Sequence, residues 1–112
     1  MQKINVLEPL LKNGRVAIID GAFGTEIESR GFDISSQIDL WSAKVLDLSP
    51  DLAIQVHKDY LLSGADIIIT ASYKASLDVF ISRGYSEEKS VSLIKSSVHL
   101  AKKARDEVWK EI

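Results

Sequence analysis

Two short, uninterrupted apolar runs place the strongest constraint on how this chain can fold. They are residues 16–19 (VAII) and 67–70 (IIIT), and neither alternates between apolar and polar side chains. A continuous run of this length is typical of a parallel strand that is covered on both faces. We therefore predict two buried, parallel β-strands. Each run is followed by small or polar residues, and we expect any chemistry to lie at these carboxyl ends.

A helix is predicted between the two strands. The tripeptide Ser49-Pro50-Asp51 is a start signal, because serine suits the N-cap, proline the first helical position and aspartate the helix dipole. Gly64 is the matching stop signal. The stripe that would pack against the sheet consists of Ala53, Val56, Tyr60 and Leu61.

A second long helix is predicted after the second strand. It opens at Ser86 and continues for about 25 residues, over which apolar side chains recur at helical spacing. Its predicted stripe consists of Val91, Ile94, Val98, Ala101 and Val108. A shorter helix is predicted over residues 76–82, closed by Gly84. The order is β-α-β-α, with a long segment, residues 21–49, after the first strand.

This order describes an incomplete sheet. Two parallel strands with two outer helices leave both sheet edges unpaired and most of the inner face bare. We therefore expect the chain to associate with itself, or to pair with the remainder of a larger sheet or barrel.

Composition excludes several classes of function. The formal net charge is −2, which gives no basis for binding nucleic acid or an anionic membrane. No apolar run approaches the length of about 18 residues that a membrane helix needs, and a cytoplasmic location is the expectation. The chain has no cysteine, and neither His57 nor His99 has a partner at a familiar metal spacing, so both are interpreted as packing or surface residues.

The first candidate site is the segment DGAFGTE, residues 20–26, at the end of the first strand. Its glycines permit a tight turn and a close approach of backbone to a ligand, and Asp20 could bind an amine. The alternative is a plain strand-to-loop turn in which the aspartate caps the next segment. The glycine spacing matches neither a dinucleotide fingerprint nor a P-loop.

The second candidate site is the segment TASY, residues 70–73, at the end of the second strand. A hydroxyl and an aromatic ring would project there toward the same mouth as Asp20. The alternative is a structural role for Thr70 and Tyr73. Trp41 could line this pocket or could hold the long loop against the barrel.

Four motifs, in this order and spacing, resemble the homocysteine S-methyltransferases. They are DGAFGTE at residues 20–26, LWSAKVL at 40–46, HKDY at 57–60 with GAD at 64–66, and TASYKAS at 70–76. The resemblance extends from about residue 16 to residue 105. The LWSAK stretch is most similar to the branch that takes its methyl group from S-methylmethionine or S-adenosylmethionine.

The resemblance implies an α/β fold, a zinc-dependent TIM (β/α)₈ barrel of roughly 300 residues. Residues 1–112 would then be one partial homocysteine-binding domain, the N-terminal βαβα portion with parallel strands and outer helices. The implied reaction transfers a methyl group from a sulfonium donor to zinc-bound homocysteine and gives methionine. Because the family's zinc thiolates come from cysteines in later strands, we expect this chain alone to bind no zinc.

The resemblance also assigns substrate-binding residues. Asp20 would contact the ammonium group of homocysteine, Gly21 would let the substrate approach the backbone, and Thr70 would be a further pocket residue. Trp41 and Tyr73 match aromatic positions near the meeting point of substrate and methyl donor. No catalytic residue and no metal ligand is assigned within the chain. The alternative function is a non-catalytic binding or interaction domain derived from the start of such a barrel.

Overall fold

The computed structural model describes residues 5–33, 41–72 and 75–111, and for Trp41 and Ser42 it describes the backbone alone. This part of the chain is largely helical. Its helices are α1 (Leu7–Leu11), α2 (Gly24–Ser29), α3 (Val45–Leu48), α4 (Pro50–Leu62), α5 (Leu77–Ser82) and α6 (Glu87–Glu111), with short 3₁₀ helices at Lys12–Gly14 and Trp41–Lys44. None of the described helices combines the length and the apolar character that a bilayer span requires.

Helix α4 confirms the predicted crossover helix. Pro50 is its first residue, and it ends two residues before Gly64, whose φ of 113° is a conformation that glycine adopts without strain. Ser49 occupies the N-cap position, but its side chain makes no capping hydrogen bond. The predicted N-cap position is therefore confirmed, and the backbone N–H of Ser49 also closes α3 by donating to the carbonyl oxygen of Val45 at 2.9 Å.

Helices α5 and α6 are confirmed close to their predicted bounds. The Oγ of Ser86 accepts a hydrogen bond of 3.0 Å from the N–H of Lys89, which caps the start of α6. Gly84, with a φ of 94°, follows α5. The predicted end signals were therefore correct for both helices.

The buried face of α6 agrees with the predicted stripe in part, since Ala101 and Val108 are buried as predicted. Val91 and Val98 are 37% and 40% exposed. The buried residues are Ser90, Leu93, Ser97, Ala101, Ala104 and Val108. Small residues allow α6 to approach its neighbours closely. The hydroxyls of Ser90 and Ser97 can be buried because they donate to the carbonyl oxygens of Ser86, just before the helix, and of Ile94, each at 2.7 Å.

The core lies among α2, α3, α4, α5 and α6. Its buried members are Phe23, Ile27, Ala43, Val45, Leu46, Ala53, Val56, Ala71, Phe80 and Leu93. Several of them lie in or beside α2 and α3, two short helices in the segment 21–49, to which the sequence assigned no helix. These helices are too short to show a helical period, and tertiary packing rather than pattern holds them.

The two apolar runs lie side by side in parallel, as predicted, but form a single bridge rather than strands. The bridge joins Ile19 and Ile67. The N–H of Asp20 donates to the carbonyl oxygen of Ile67 at 3.0 Å, and the N–H of Ile67 donates to that of Ile18 at 3.1 Å. The predicted strands of the βαβα portion are therefore not observed in the described residues.

Two aspartates end this short ladder. The N–H of Ile18 donates to Oδ2 of Asp66 at 2.9 Å, and the N–H of Ile69 donates to Oδ2 of Asp20 at 3.1 Å. Side-chain carboxylates therefore take the positions at which backbone carbonyls would continue a sheet. Two segments without further neighbours are at best a marginal sheet, which explains why the pairing stops after one bridge.

Candidate functional site

A pocket of about 390 Å³ opens where the two parallel segments end. Its wall consists of Asp20, Gly21, Ala22, Phe23, Gly24, Thr25, Ile69 and Thr70. Three of the residues predicted for the site, Asp20, Gly21 and Thr70, are thus brought together. The parallel bridge explains their proximity, because it places the residues that follow both segments at the same end.

The carboxylate of Asp20 has two different oxygens. Oδ2 accepts the hydrogen bond from the N–H of Ile69 and so holds the two segments together. Oδ1 is buried and has no hydrogen-bond partner within the described part of the chain. A buried carboxylate oxygen without a donor is costly, so this acid favours a nearby cation or N–H donor.

Gly21 lies against the side chain of Tyr60 in α4. The hydroxyl of Tyr60 donates to the carbonyl oxygen of Ala22 at 2.7 Å. A Cβ atom at position 21 would lie 2.9 Å from the Tyr60 Oη and 3.2 Å from its Cε1. Burial, followed by the charges of Glu26 and Asp20, raises the pKa of Tyr60, which keeps the phenol protonated as a donor. Glycine is therefore needed for α4 to hold the pocket wall.

The structure describes the side chain of Thr70 but not those of Trp41 and Tyr73. The Oγ1 of Thr70 lies 2.7 Å from the Oγ of Ser72, a hydroxyl pair at the pocket edge. Trp41 begins the 3₁₀ helix Trp41–Lys44, and its side chain lies outside the described structure. Tyr73 also lies outside the described residues.

His57 is a buried neighbour of the pocket. It is 1% exposed, and its ring centroid lies 5.2 Å from that of Phe23. Burial lowers the pKa of His57, and the negative charge of Asp20 acts in the opposite direction. The interpretation of this histidine as a packing residue is confirmed. Its proximity to the pocket, and that of Tyr60, was missed, although their three-residue spacing on a crossover helix was a usable signal.

Glu26 has a structural partner. Its Oε1 lies 2.8 Å from an Arg30 guanidinium nitrogen, and a second nitrogen of Arg30 lies 2.8 Å from Oδ2 of Asp59. Arg30 thus joins the end of α2 to α4. Glu26, the last residue of the DGAFGTE motif, therefore belongs to this ion-pair network.

A metal site would need several His, Cys, Asp or Glu side chains close together among the described residues. No group of three or more His, Cys, Asp or Glu side chains there is arranged to hold a metal ion. The sequence also contains no cysteine. The residues of this chain therefore do not fit the zinc–thiolate site that the resemblance implies.

The geometry defines a small-molecule pocket with an acid, a glycine wall and a hydroxyl at the ends of two parallel segments. The family model for homocysteine S-methyltransferase matches residues 17–112. The chain belongs to the homocysteine S-methyltransferase family.

Individual relatives agree with this assignment. The chain is 45% identical to homocysteine S-methyltransferase 1 of Arabidopsis thaliana, over 99% of this chain and 34% of that protein. It is 50% identical to selenocysteine methyltransferase of Astragalus bisulcatus, over 83% of this chain and 27% of that protein. The crystal structure of the homocysteine methyltransferase MmuM from Escherichia coli, in a metallated form, superposes with a TM-score of 0.84 at 45% identity. This superposition covers 96% of this chain and 36% of that one. The chain thus spans between 27% and 36% of the length of these three proteins.

Proposed function

We propose that the chain supplies the homocysteine-binding part of a homocysteine S-methyltransferase with a (β/α)₈ barrel. The observation that carries this proposal is the pocket that joins Asp20, Gly21 and Thr70 at the ends of two parallel segments. Ligands of such barrels bind at the carboxyl ends of the strands. The family of the chain then indicates the ligand, an amino acid with a thiol group.

Each pocket residue has a role that its chemistry can perform. The carboxylate of Asp20 attracts the ammonium group of the substrate in a site that is partly shielded from water. Gly21 presents backbone without a side chain, and the hydroxyl of Thr70 offers a further polar contact. Trp41 and Tyr73 are proposed as aromatic neighbours of the methyl donor.

The proposed reaction is a direct methyl transfer. The sulfur of homocysteine, as a thiolate, attacks the methyl carbon of a sulfonium donor such as S-methylmethionine or S-adenosylmethionine. The bond between the methyl carbon and the donor sulfur breaks, and the donor leaves as a neutral thioether. Residues 1–112 would contribute by orienting the substrate. In the complete family enzyme, the zinc ion would be held by residues outside this chain.

The two parallel segments expose apolar side chains, which indicates that further structure covers them in a complete barrel. Val16 is 78% exposed, and Ile18, Ile19 and Ile69 are each more than half exposed. Side chains of this type in parallel strands are normally covered on both faces. We propose that further barrel strands cover this face. A cytoplasmic location remains a prediction from the sequence.

The test is to restore activity with a partner that supplies the rest of a barrel. The 112-residue chain would be co-expressed with the part of the E. coli homocysteine methyltransferase that lies beyond the matched region. Methionine formation from homocysteine and S-methylmethionine is expected in the purified complex, and a chain carrying Asp20→Asn should reduce it. A stable, metal-loaded complex that binds homocysteine without methyl transfer would favour the non-catalytic binding domain instead.

A further inference from the structure

Three buried polar atoms beside the pocket lack hydrogen-bond partners in the described part of the chain. They are Oδ1 of Asp20 and both ring nitrogens, Nδ1 and Nε2, of His57. Buried polar atoms in proteins are paired in the great majority of cases, because leaving one unpaired costs free energy. An aspartate and a histidine with unused capacity near the same pocket therefore call for a functional explanation.

Phe23 connects the two residues. It forms part of the pocket wall together with Asp20, and its ring packs against the ring of His57 at a centroid distance of 5.2 Å. One turn further along α4, Tyr60 donates its hydrogen bond to Ala22. Helix α4 therefore contacts the segment that follows Asp20 at two places. His57 packs against Phe23, and Tyr60 hydrogen-bonds Ala22.

The chemistry of the two side chains is complementary. A neutral imidazole has one N–H donor and one acceptor, whereas a carboxylate can only accept. Burial lowers the pKa of His57 and the charge of Asp20 raises it, so the two groups are within electrostatic reach. Because burial is the larger effect, the pKa of His57 is lowered and the neutral imidazole is favoured. It can then donate to Asp20 without cancelling the charge that a substrate ammonium needs.

We propose that His57 is a positioning residue, whose ring N–H hydrogen-bonds the buried Oδ1 of Asp20 when an amino-acid ammonium binds at this carboxylate. The backbone N–H of Ile69 holds Oδ2 of the same carboxylate. With both oxygens fixed, the carboxylate keeps one orientation toward the ligand. This inference rests on the proposed function, since it takes the pocket to bind an amino acid.

The experiment is a titration of the full chain with homocysteine, followed by NMR of ¹⁵N-labelled histidine. The ring nitrogens of His57 should shift as homocysteine binds, while those of the exposed His99 should not. His57→Leu should weaken homocysteine binding by roughly ten- to a hundredfold, as expected for a lost hydrogen bond to a charged group. His57→Gln should retain most of the affinity, because the amide also donates. His99→Leu is the matched control and should bind as the parent chain does.

The possible outcomes distinguish a failure of this inference from a failure of the proposed function on which it rests. Unchanged homocysteine affinity in a folded His57→Leu variant would overturn the positioning role and leave the proposed function intact. If that variant fails to fold, unmoved ring nitrogens of His57 in the parent chain would overturn it instead. A parent chain that binds no homocysteine would contradict the proposed function, and the positioning role with it.

Discussion

The helical layer and the two parallel segments both carry large apolar side chains but differ sharply in burial. Phe80 and Val56, in the helical layer, are fully buried, whereas Val16 and Ile69 are 78% and 56% exposed. The helices find their packing partners within the described residues. Within the same residues the parallel segments form one bridge and keep much of their apolar surface exposed. An apolar run therefore predicts where a strand would be buried in a complete sheet, and the neighbours decide whether it is buried.

The largest expected effect tests the well-packed side of this comparison. Phe80→Ala should destabilise the chain by about 3–5 kcal/mol, because it removes a fully buried ring and leaves a cavity. Ile69→Ala, a change in the exposed segment, should cost no more than about 0.5 kcal/mol. Urea unfolding of both variants would measure the difference. Equal losses would show that the parallel segments are packed as tightly as the helices.

A smaller effect is expected where the helical layer meets the pocket. Gly21→Ala should cost about 1–3 kcal/mol, because the new Cβ would collide with the Tyr60 hydroxyl. Gly21 is not among the glycines with positive φ, so a steric clash rather than backbone strain carries the cost. Thermal unfolding of Gly21→Ala, Tyr60→Phe and the double variant forms a cycle. The two changes should compensate in part, and strict additivity would contradict the contact.

The exposed segments should drive self-association. Replacing Val16 and Ile69 by serine should weaken association of the chain by about tenfold, since each change removes apolar surface that association would bury. Light scattering over a concentration series would measure this. The control, Ser82→Ala at the end of α5, changes a residue whose hydroxyl donates within its own helix. A parent chain that stays monomeric at all concentrations would show that the open face needs no cover.

The sequence was most informative where local signals and tertiary packing agree. Helices α4 and α6 have end signals and a long period, and their bounds were close to the prediction. The buried face of α6 was predicted only in part. Ala101 and Val108 are buried as predicted, but Ser90 and Ser97 are also buried through hydrogen bonds to carbonyls four and three residues earlier, which a hydrophobic pattern does not count. The prediction of strands was wrong for a different reason. A continuous apolar run needs further strands beside it, and the described residues supply a single bridge between the two segments.

The candidate site shows the same division. Asp20 and Thr70 could be placed in one pocket from strand-end reasoning, because the parallel direction of the two segments was predicted correctly. The contacts of Tyr60 and His57 with this pocket depend on how α4 rotates against the segment that follows Asp20. The hydrophobic periodicity of α4 does not define this rotation accurately enough to predict an individual hydrogen bond.

The affinity of the chain for homocysteine with and without the charge of Asp20 tests the central claim most directly. Asp20→Asn keeps an oxygen that can accept from the N–H of Ile69 but removes the negative charge. Calorimetry should show a loss of about 2–5 kcal/mol in binding free energy, as for other charge pairs that lose one member. Asp78→Asn, at the exposed start of α5, is the matched control and should bind as the parent chain does. Equal homocysteine affinity in Asp20→Asn and the parent chain would contradict the account.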